Sequence, residues 1–428
     1  MDTNAYTRWF RGSTPYISAH RHKTFVVLLS GEALDHVNLT NIVHDLALLH
    51  VLGVRLVLVH GARPQIEQTL GESVYHHHRR VTDENAMQTI TGIHGQLRSR
   101  LEALFSTGLP NSPLHNVDIP VSTGNYLTAK PIGVVDGVDH LFSGEIRRID
   151  VARIKTALAE QALVLVSPLG YSPSGQVFNL NSEDLASDLA IAIKADKLIM
   201  FDETAHVVDH SGARISTLTP GELDTHLTAQ GAAKEHRFRH LQKAVRGGVT
   251  KSHLVSFAED GALLAELFTA EGVGTQIVEQ RGRGIRPATA KDVAGIVEVI
   301  RPLEEAGALV RRERARLEQE IDNFLVAELD GIVVGCCAVY DYATQAELAC
   351  VGVHENYQSG NGIGQRLLEA AEQKARDLGA DELFALTTQT RDWFLDRGFH
   401  PATPEHLPAH KQSLYNWQRN ASVMVKSL

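Results

Sequence analysis

Little in this chain points to a membrane, a nucleic acid or an oxidising compartment. Three cysteines in 428 residues cannot make a disulfide framework. Cys336, Cys337 and Cys350 all fall in apolar, strand-like runs, the setting of buried reduced thiols. No apolar run approaches the roughly 18 residues that span a bilayer. Residues 1–11 are polar and hold no signal core. Basic residues do not predominate: 41 Lys and Arg face 51 Asp and Glu, a net charge of −10. That balance leaves no electrostatic footprint for nucleic acid or an anionic membrane, so neither is expected as a partner and a cytoplasmic location is. Internal repeats and low-complexity tracts are missing too. What remains is an ordinary globular composition, 43% hydrophobic and 21% charged, with a length that suits two or three domains.

After an N-terminal arm (1–23), residues 24–280 alternate strand and helix patterns. Short apolar runs at 25–29, 55–60, 162–167 and 198–201 read as strands, and 39–52, 85–104 and 184–194 as helices. Such alternation predicts an α/β fold, a mostly parallel open sheet sandwiched by helices. Residues 281–286 are charged and glycine-rich and read as a linker. A second pattern then starts, at 287–428. It has helices at 289–301 and 312–321 and strands at 324–328, 332–341 and 347–353. The triplet His76 to His78 invites a metal reading, but adjacent histidines point different ways and no acid or cysteine lies at ligand spacing. No metal is expected.

The richest segment is 347–368. An apolar strand (348–353) runs into a turn with Gly360, Gly362 and Gly364. The turn opens into a helix with Leu367, Leu368, Ala371 and Ala375 on one face. Strand, glycine turn and helix start together make an anion site, because bare N–H groups and the helix dipole point outward. A Walker loop would end Gly-Lys-Ser/Thr, whereas this one ends Gly364-Gln365-Arg366. A dinucleotide fingerprint wants an acid about 20 residues on, and Asp381 leaves that alternative open for the loop alone. The surrounding sequence resembles the acetyl-CoA loop of the GNAT acetyltransferases, and Trp393 to Phe399 resembles that fold's helix-to-strand ending.

Val59-His60-Gly61-Ala62-Arg63-Pro64 resembles the His-Gly-Gly-Gly-Pro turn of the amino-acid kinases. Arg80 to Asp83, Asn179 to Asn181, Arg246 to Lys251 and Glu266 to Thr275 continue that likeness. A working kinase of this family holds the transferring phosphoryl group with a lysine at the end of the first strand. Leu28 stands there instead, and Ala62 and Arg63 replace two glycines of the turn. Without its main cation the developing phosphoryl charge goes unmet, so no phosphate transfer is expected. His253, Glu266 and Gly272 match positions that line an arginine pocket in arginine-inhibited relatives, so the resemblance implies an allosteric arginine site.

Taken whole, a kinase-like domain followed by a GNAT α+β domain resembles the bacterial N-acetylglutamate synthases. That likeness implies transfer of the acetyl group of acetyl-CoA to the α-amine of L-glutamate, with L-arginine as feedback inhibitor and a homo-oligomer, a hexamer, as the assembly. Two carboxylates on the substrate call for arginine forks. Arg311 and Arg419 are the matched candidates, with Arg312 the nearby alternative and Leu309 and Cys350 as further substrate contacts. Glu347 is placed to take a proton from the amine. N–H groups around Cys350, Val351, Gly352 and Val353 would stabilise the oxyanion. The pyrophosphate falls to Gln358, Ser359, Gly360, Gly362, Ile363 and Gly364, with the register between Gln358, Ser359 and Asn361 left open. The tyrosine that many GNAT enzymes offer the leaving thiolate is Phe394 here, which leaves Thr387 as the nearest hydroxyl. The family's Arg-x-Ser becomes Arg419-Asn420-Ala421-Ser422, which puts the serine contact in doubt. The alternatives are an acetylglutamate kinase carrying a non-catalytic acyl-CoA sensor, and a protein-lysine acetyltransferase with an amino-acid sensor.

Overall fold

The computed structural model describes residues 7, 11, 13–71, 73–110, 112–209, 212, 214–227, 232–269, 272–279, 285–329, 332–358, 362–413, 415 and 421–428. The chain divides into two units, Met1–Arg281 and Gly282–Leu428.

In the first unit, the apolar runs are strands of an eight-stranded sheet. These are β1 (Thr24–Leu29), β2 (Arg55–His60), β3 (Val121–Ser122), β4 (Leu163–Val166), β5 (Lys197–Asp202), β6 (Thr217–Leu218), β7 (Lys251–Ser256) and β8 (Thr275–Val278). The order is β6-β8-β7-β5-β1-β2-β4-β3, with β7 and β8 antiparallel and the other pairs parallel. The central strands β1, β2 and β4 are largely apolar because each face feeds a separate core. Phe25, Val27 and Leu29 join Leu56 and Leu58 on one side, and Val26 and Leu28 join Val57 and Val59 on the other. Helices α1 (Leu39–Val51) and α3 (Glu84–Phe105) supply the first core, and α4 (Ser182–Ile193) the second. The short helices α2 (Arg63–Leu70) and α5 (Ala262–Phe268) follow β2 and β7.

The second unit is a seven-stranded sheet of order β9-β10-β11-β12-β13-β15-β14. Its strands are β9 (Ile285–Pro287), β10 (Phe324–Leu329), β11 (Ile332–Tyr342), β12 (Gln345–Val353), β13 (Glu382–Thr387), β14 (His400–Ala402) and β15 (Ser422–Ser427). Every pair is antiparallel except β12 with β13. Helix α6 (Val293–Glu305) buries Val299 and Ile300 among Phe324, Val326, Cys336 and Cys350. On the long helix α7 (Ile363–Asp377), the expected face of Leu367, Leu368, Ala371 and Ala375 is buried. All three cysteines are free and buried.

Three element boundaries differ from expectation. The glycine-rich stretch ends sooner than its composition suggests, since Ile285 and Arg286 already pair with β10. Arg286 reaches both Asp292 and Glu328, so its charge serves an ion-pair network rather than a solvated tether. The helix expected at 289–301 opens with a capping box of Thr289 and Asp292 and runs past Pro302 to Glu305. The helix expected at 312–321 shrinks to Arg314–Gln319 with a following 3-10 turn.

Candidate active site

The second unit's site begins where its one parallel strand pair ends. β12 and β13 stay in register from Gln345 with Glu382 to Leu348 with Ala385 and pair no further. Beyond that point β12 remains bonded to β11 alone, through Cys336 with Gly352 and Gly335 with Val353. The β13-facing edge of residues 349–353 is therefore left open among the described residues. A bulge sits at the same place. β11 pairs Ala338 with Ala349 and Cys336 with Gly352, so Cys350 and Val351 face the single residue Cys337. Cys350 adopts φ 51, a left-handed conformation uncommon for a side chain of its kind. Bulge and splay together interrupt the ladder at Cys350 and Val351, the kind of break that can free backbone N–H groups for an oxyanion. Gly352 lies beneath α6, where a Cβ would come within 3.0 Å of Leu303.

Glu347 lies on β12 just before this opening and is 6% exposed. Lys411, on the five-residue helix Ala409–Ser413, donates to its Oε2 at 2.6 Å. The Tyr342 hydroxyl also bonds Glu347, and burial together with that carboxylate pushes the phenol up to about 12. A buried carboxylate with one ammonium and one neutral donor keeps acceptor capacity for a third, so it is equipped to take a proton from an amine.

The candidate substrate residues come together unevenly. Leu309 is half-buried, its N–H bonded to the carbonyl of Leu303 at the end of α6. Arg311 is exposed, whereas Arg312 is half-buried and donates to the Cys350 sulfur. Its backbone N–H donates to Glu304 at 2.8 Å, and its Nε is buried without a protein partner. Burial pushes the Cys350 thiol up to about 11, with Arg312 pulling the other way. Arg419 lies outside the described residues.

Gly362 caps α7 with φ 57, a conformation glycine adopts without strain. The next residue, Ile363, is buried, and Gly364 faces Trp393, which a Cβ would approach to 3.3 Å. Gln358 folds back, its Nε2 2.9 Å from the carbonyl of Val353. That bond ties the loop to the strand end and engages the amide donor within the protein. Ser359, Gly360 and Asn361 fall outside the described residues.

Thr387 ends β13 and is 7% exposed. Its Oγ1 accepts from the N–H of Thr390 at 3.0 Å and shares a 2.8 Å hydrogen bond with the Thr390 hydroxyl. One of the two hydroxyl protons lies in that shared bond, and the other can be offered to an acceptor. Phe394 packs edge-on against Trp393 and Phe399 and is core.

In the first unit the kinase-like segments do converge. Arg80, Asn179 and Asn181 line one cleft with Ala62, Arg63, Tyr75 and Glu183. At the lysine position, Leu28 is 2% exposed and belongs to the apolar core, so it offers that cleft no cation. His60, at the end of β2, bonds Ser167 at 2.9 Å, and burial pulls its imidazole down to about 4.

His253, Glu266 and Gly272, which are 19 residues apart at most in sequence, form one tight cluster. His253 Nδ1 lies 2.7 Å from Glu266 Oε1. The N–H groups of Val273 and Gly274 donate to Glu266 Oε2, each at 2.8 Å. Burial works to raise the Glu266 carboxyl, but these donors outweigh it and hold the group below its usual range. Burial likewise lowers His253, and its Nε2 is buried without a protein partner. Gly272 has φ 57, and a Cβ there would collide with Glu266.

Sequence reasoning missed Lys411 and Tyr342. Tyr342 lies five positions before Glu347 across a tight β11–β12 turn, a signal that register could have supplied. Lys411 is 64 positions away on a helix too short to show a period.

Residues 23–256 match the amino acid kinase family and residues 296–399 the acetyltransferase (GNAT) family. An amino-acid acetyltransferase of Azotobacter vinelandii is 48% identical over 430 residues, with 99% of each chain covered. Among solved structures, an N-acetylglutamate synthase from Neisseria gonorrhoeae complexed with coenzyme A and L-arginine is similar at TM-score 0.88 and 34% identity, over 99% of both chains. The same organism's enzyme with coenzyme A and N-acetyl-glutamate is similar at TM-score 0.63 and 35% identity, again over 99% of both chains.

Proposed function

The chain belongs to the amino-acid acetyltransferase family, and on that premise we propose how its residues divide the work. It transfers the acetyl group of acetyl-CoA to the α-amine of L-glutamate, giving N-acetylglutamate and CoA, and L-arginine regulates it. The observation that carries the site assignment is the early end of the β12–β13 pairing, which opens the backbone of residues 350–353 beside buried Glu347.

Glutamate's ammonium approaches Glu347, which takes a proton so that the amine's lone pair is free to attack the thioester carbon. The carbonyl oxygen gathers charge against N–H groups of residues 350–353. Collapse breaks the carbon–sulfur bond beside the Thr387–Thr390 hydroxyl pair, and the second proton of the attacking nitrogen passes to the thiolate to give the amide and CoA, with the start of α7 and its glycine turn holding the pyrophosphate. Arg311, Arg312 and Arg419 share the substrate's two carboxylates. Lys411 neutralises Glu347 between turnovers and yields when the substrate's own ammonium arrives. Such a site suits a small dicarboxylate better than a cationic lysine side chain.

The kinase-like unit binds rather than reacts. The His253–Glu266–Gly272 cluster forms one wall of an arginine pocket, and differential arginine affinity between two states provides the coupling. A homo-oligomer, a hexamer, is the assembly we assign, in a cytoplasm that keeps the three thiols reduced. Among the described residues no helix is long and apolar enough to cross a membrane.

The test is CoA release with each common amino acid, with and without arginine. Glutamate alone should support it, and arginine should suppress it. Phosphoryl transfer from ATP to N-acetylglutamate should be absent. Its presence would restore the kinase reading.

A further inference from the structure

The histidine triplet has an acidic partner that sequence spacing concealed. Strands Tyr75–His76 and Arg79–Arg80 pair as a hairpin with His77 and His78 at its two-residue tip. Strands Val134–Val135 and Val138–Asp139 pair as a second, with Asp136 and Gly137 at its tip. Both tips need left-handed residues, and His77 (φ 49), His78 (φ 63) and Asp136 (φ 48) adopt them. Asp-Gly suits such a turn. Two imidazoles do not, where asparagine and glycine would fit without strain.

The tips meet. His77 Nε2 lies 2.9 Å from Asp136 Oδ2. One ligand atom from each of His76, His77 and Asp136 falls within 4.8 Å of the others. We propose that His76, His77 and Asp136 bind a divalent transition-metal ion of the zinc type. Two imidazoles and a carboxylate match zinc, which takes nitrogen and oxygen donors at roughly 2.0–2.2 Å, with water as its fourth ligand. The donor set is poor for calcium or magnesium, which want oxygen throughout.

A metal-bound imidazole needs its ring fixed from behind. His140 does this for His76, its Nε2 3.2 Å from His76 Nδ1. His140 is 1% exposed, and its own Nδ1 is buried without a protein partner. The ion would join two hairpins separated by 59 residues in sequence. One of them carries Tyr75, His78, Arg79 and Arg80 into the cleft of the kinase-like unit. Zinc therefore fixes the rim of that cleft and leaves acetyl transfer untouched, so the proposal stands apart from the assignment of the acetyl-transfer site.

The test is zinc titration of the full chain, without a polyhistidine tag, against a chromogenic chelator. The wild type should take up one ion at this site. Asparagine is at ease in both left-handed turns, so His77→Asn and Asp136→Asn keep the fold and remove a ligand. Each should weaken zinc by more than the roughly 10- to 100-fold that loss of an outer-shell partner costs, and His140→Gln should weaken it by about that lesser factor. His22→Asn, at an exposed left-handed histidine elsewhere (φ 64), should change nothing. Zinc should also slow amide exchange at both hairpin tips of the wild type. Unchanged zinc binding in the two asparagine variants, uptake by the wild type no greater than by His77→Asn, or equal binding of calcium would each overturn the proposal.

Discussion

Glu266 on helix α5 of the first unit and Glu347 near the start of strand β12 of the second are both buried carboxylates, yet they are held in opposite ways. Glu266 is saturated by its own neighbourhood, with His253 on one oxygen and two backbone N–H groups on the other. Two of these partners are backbone groups of the loop at 272–274, and the third is a buried side chain on β7. Glu347 meets one ammonium on a five-residue helix and one tyrosine hydroxyl. A side chain with four rotatable bonds withdraws easily. On the assignment proposed above, the difference separates a carboxylate that shapes a wall from one that exchanges protons with a visitor.

The largest effect should follow from Glu347→Gln, which keeps size and hydrogen bonding but removes the base. At saturating substrates CoA release should fall by about 10²- to 10⁴-fold, with the KM for acetyl-CoA little changed. A loss under tenfold would give the base to another residue and erase the contrast with Glu266.

Glu266→Ala tests the other half. It leaves His253 and two N–H groups buried without an acceptor, for a loss of about 4 kcal/mol in the stability of the first unit. Thermal unfolding and arginine inhibition should change together, while catalysis without arginine persists. If arginine inhibited the variant as before, the cluster would be structural alone.

Lys411→Met comes next. It strands the Glu347 carboxylate, a cost of about 3 kcal/mol for an unpaired buried charge. Adding Glu347→Gln should recover most of that loss, because the stranded charge is gone. A double variant that melts no higher than the single one would mean that the ion pair contributes nothing specific.

How much of this was legible in the residues follows from what each contact depends on. The sheet of the first unit could be read because its strands face two cores, so Phe25 through Leu29 form an unbroken apolar run. The α7 face was legible from its period. Leu28 was visible as a missing cation because one strand end carries that function. The Glu347–Lys411 and His77–Asp136 contacts were hidden, since each joins segments far apart in sequence with no periodic pattern between them. Ile285 and Arg286 were misassigned because a charged strand at a sheet edge has the composition of a tether. Its pairing with β10 is a matter of register, which composition does not encode.

The smallest effect concerns pH and divides the units again. His60, His94 and His253 are all buried in the first unit, and burial lowers each of them, His60 to about 4. An unfolded histidine titrates near 6.5. Between that value and the lower folded one, the unfolded chain binds the extra proton, so stability is complete above about pH 6.5 and falls as pH drops. For His60 alone the loss by pH 5 is about 2 kcal/mol, from roughly 1.5 pH units at 1.36 kcal/mol each. Glu266 acts in the same direction at lower pH, since its depressed carboxyl contributes stability above its unfolded value and loses it on protonation. The buried histidines all belong to the kinase-like unit and outnumber Asp45, whose carboxyl burial pushes up to about 7 and which acts the other way. That unit's melting transition should therefore fall first as pH drops from 7 to 5, with that of the acetyl-transfer unit holding. Calorimetry across that range reads both transitions, and equal shifts in the two would remove the histidines as the cause.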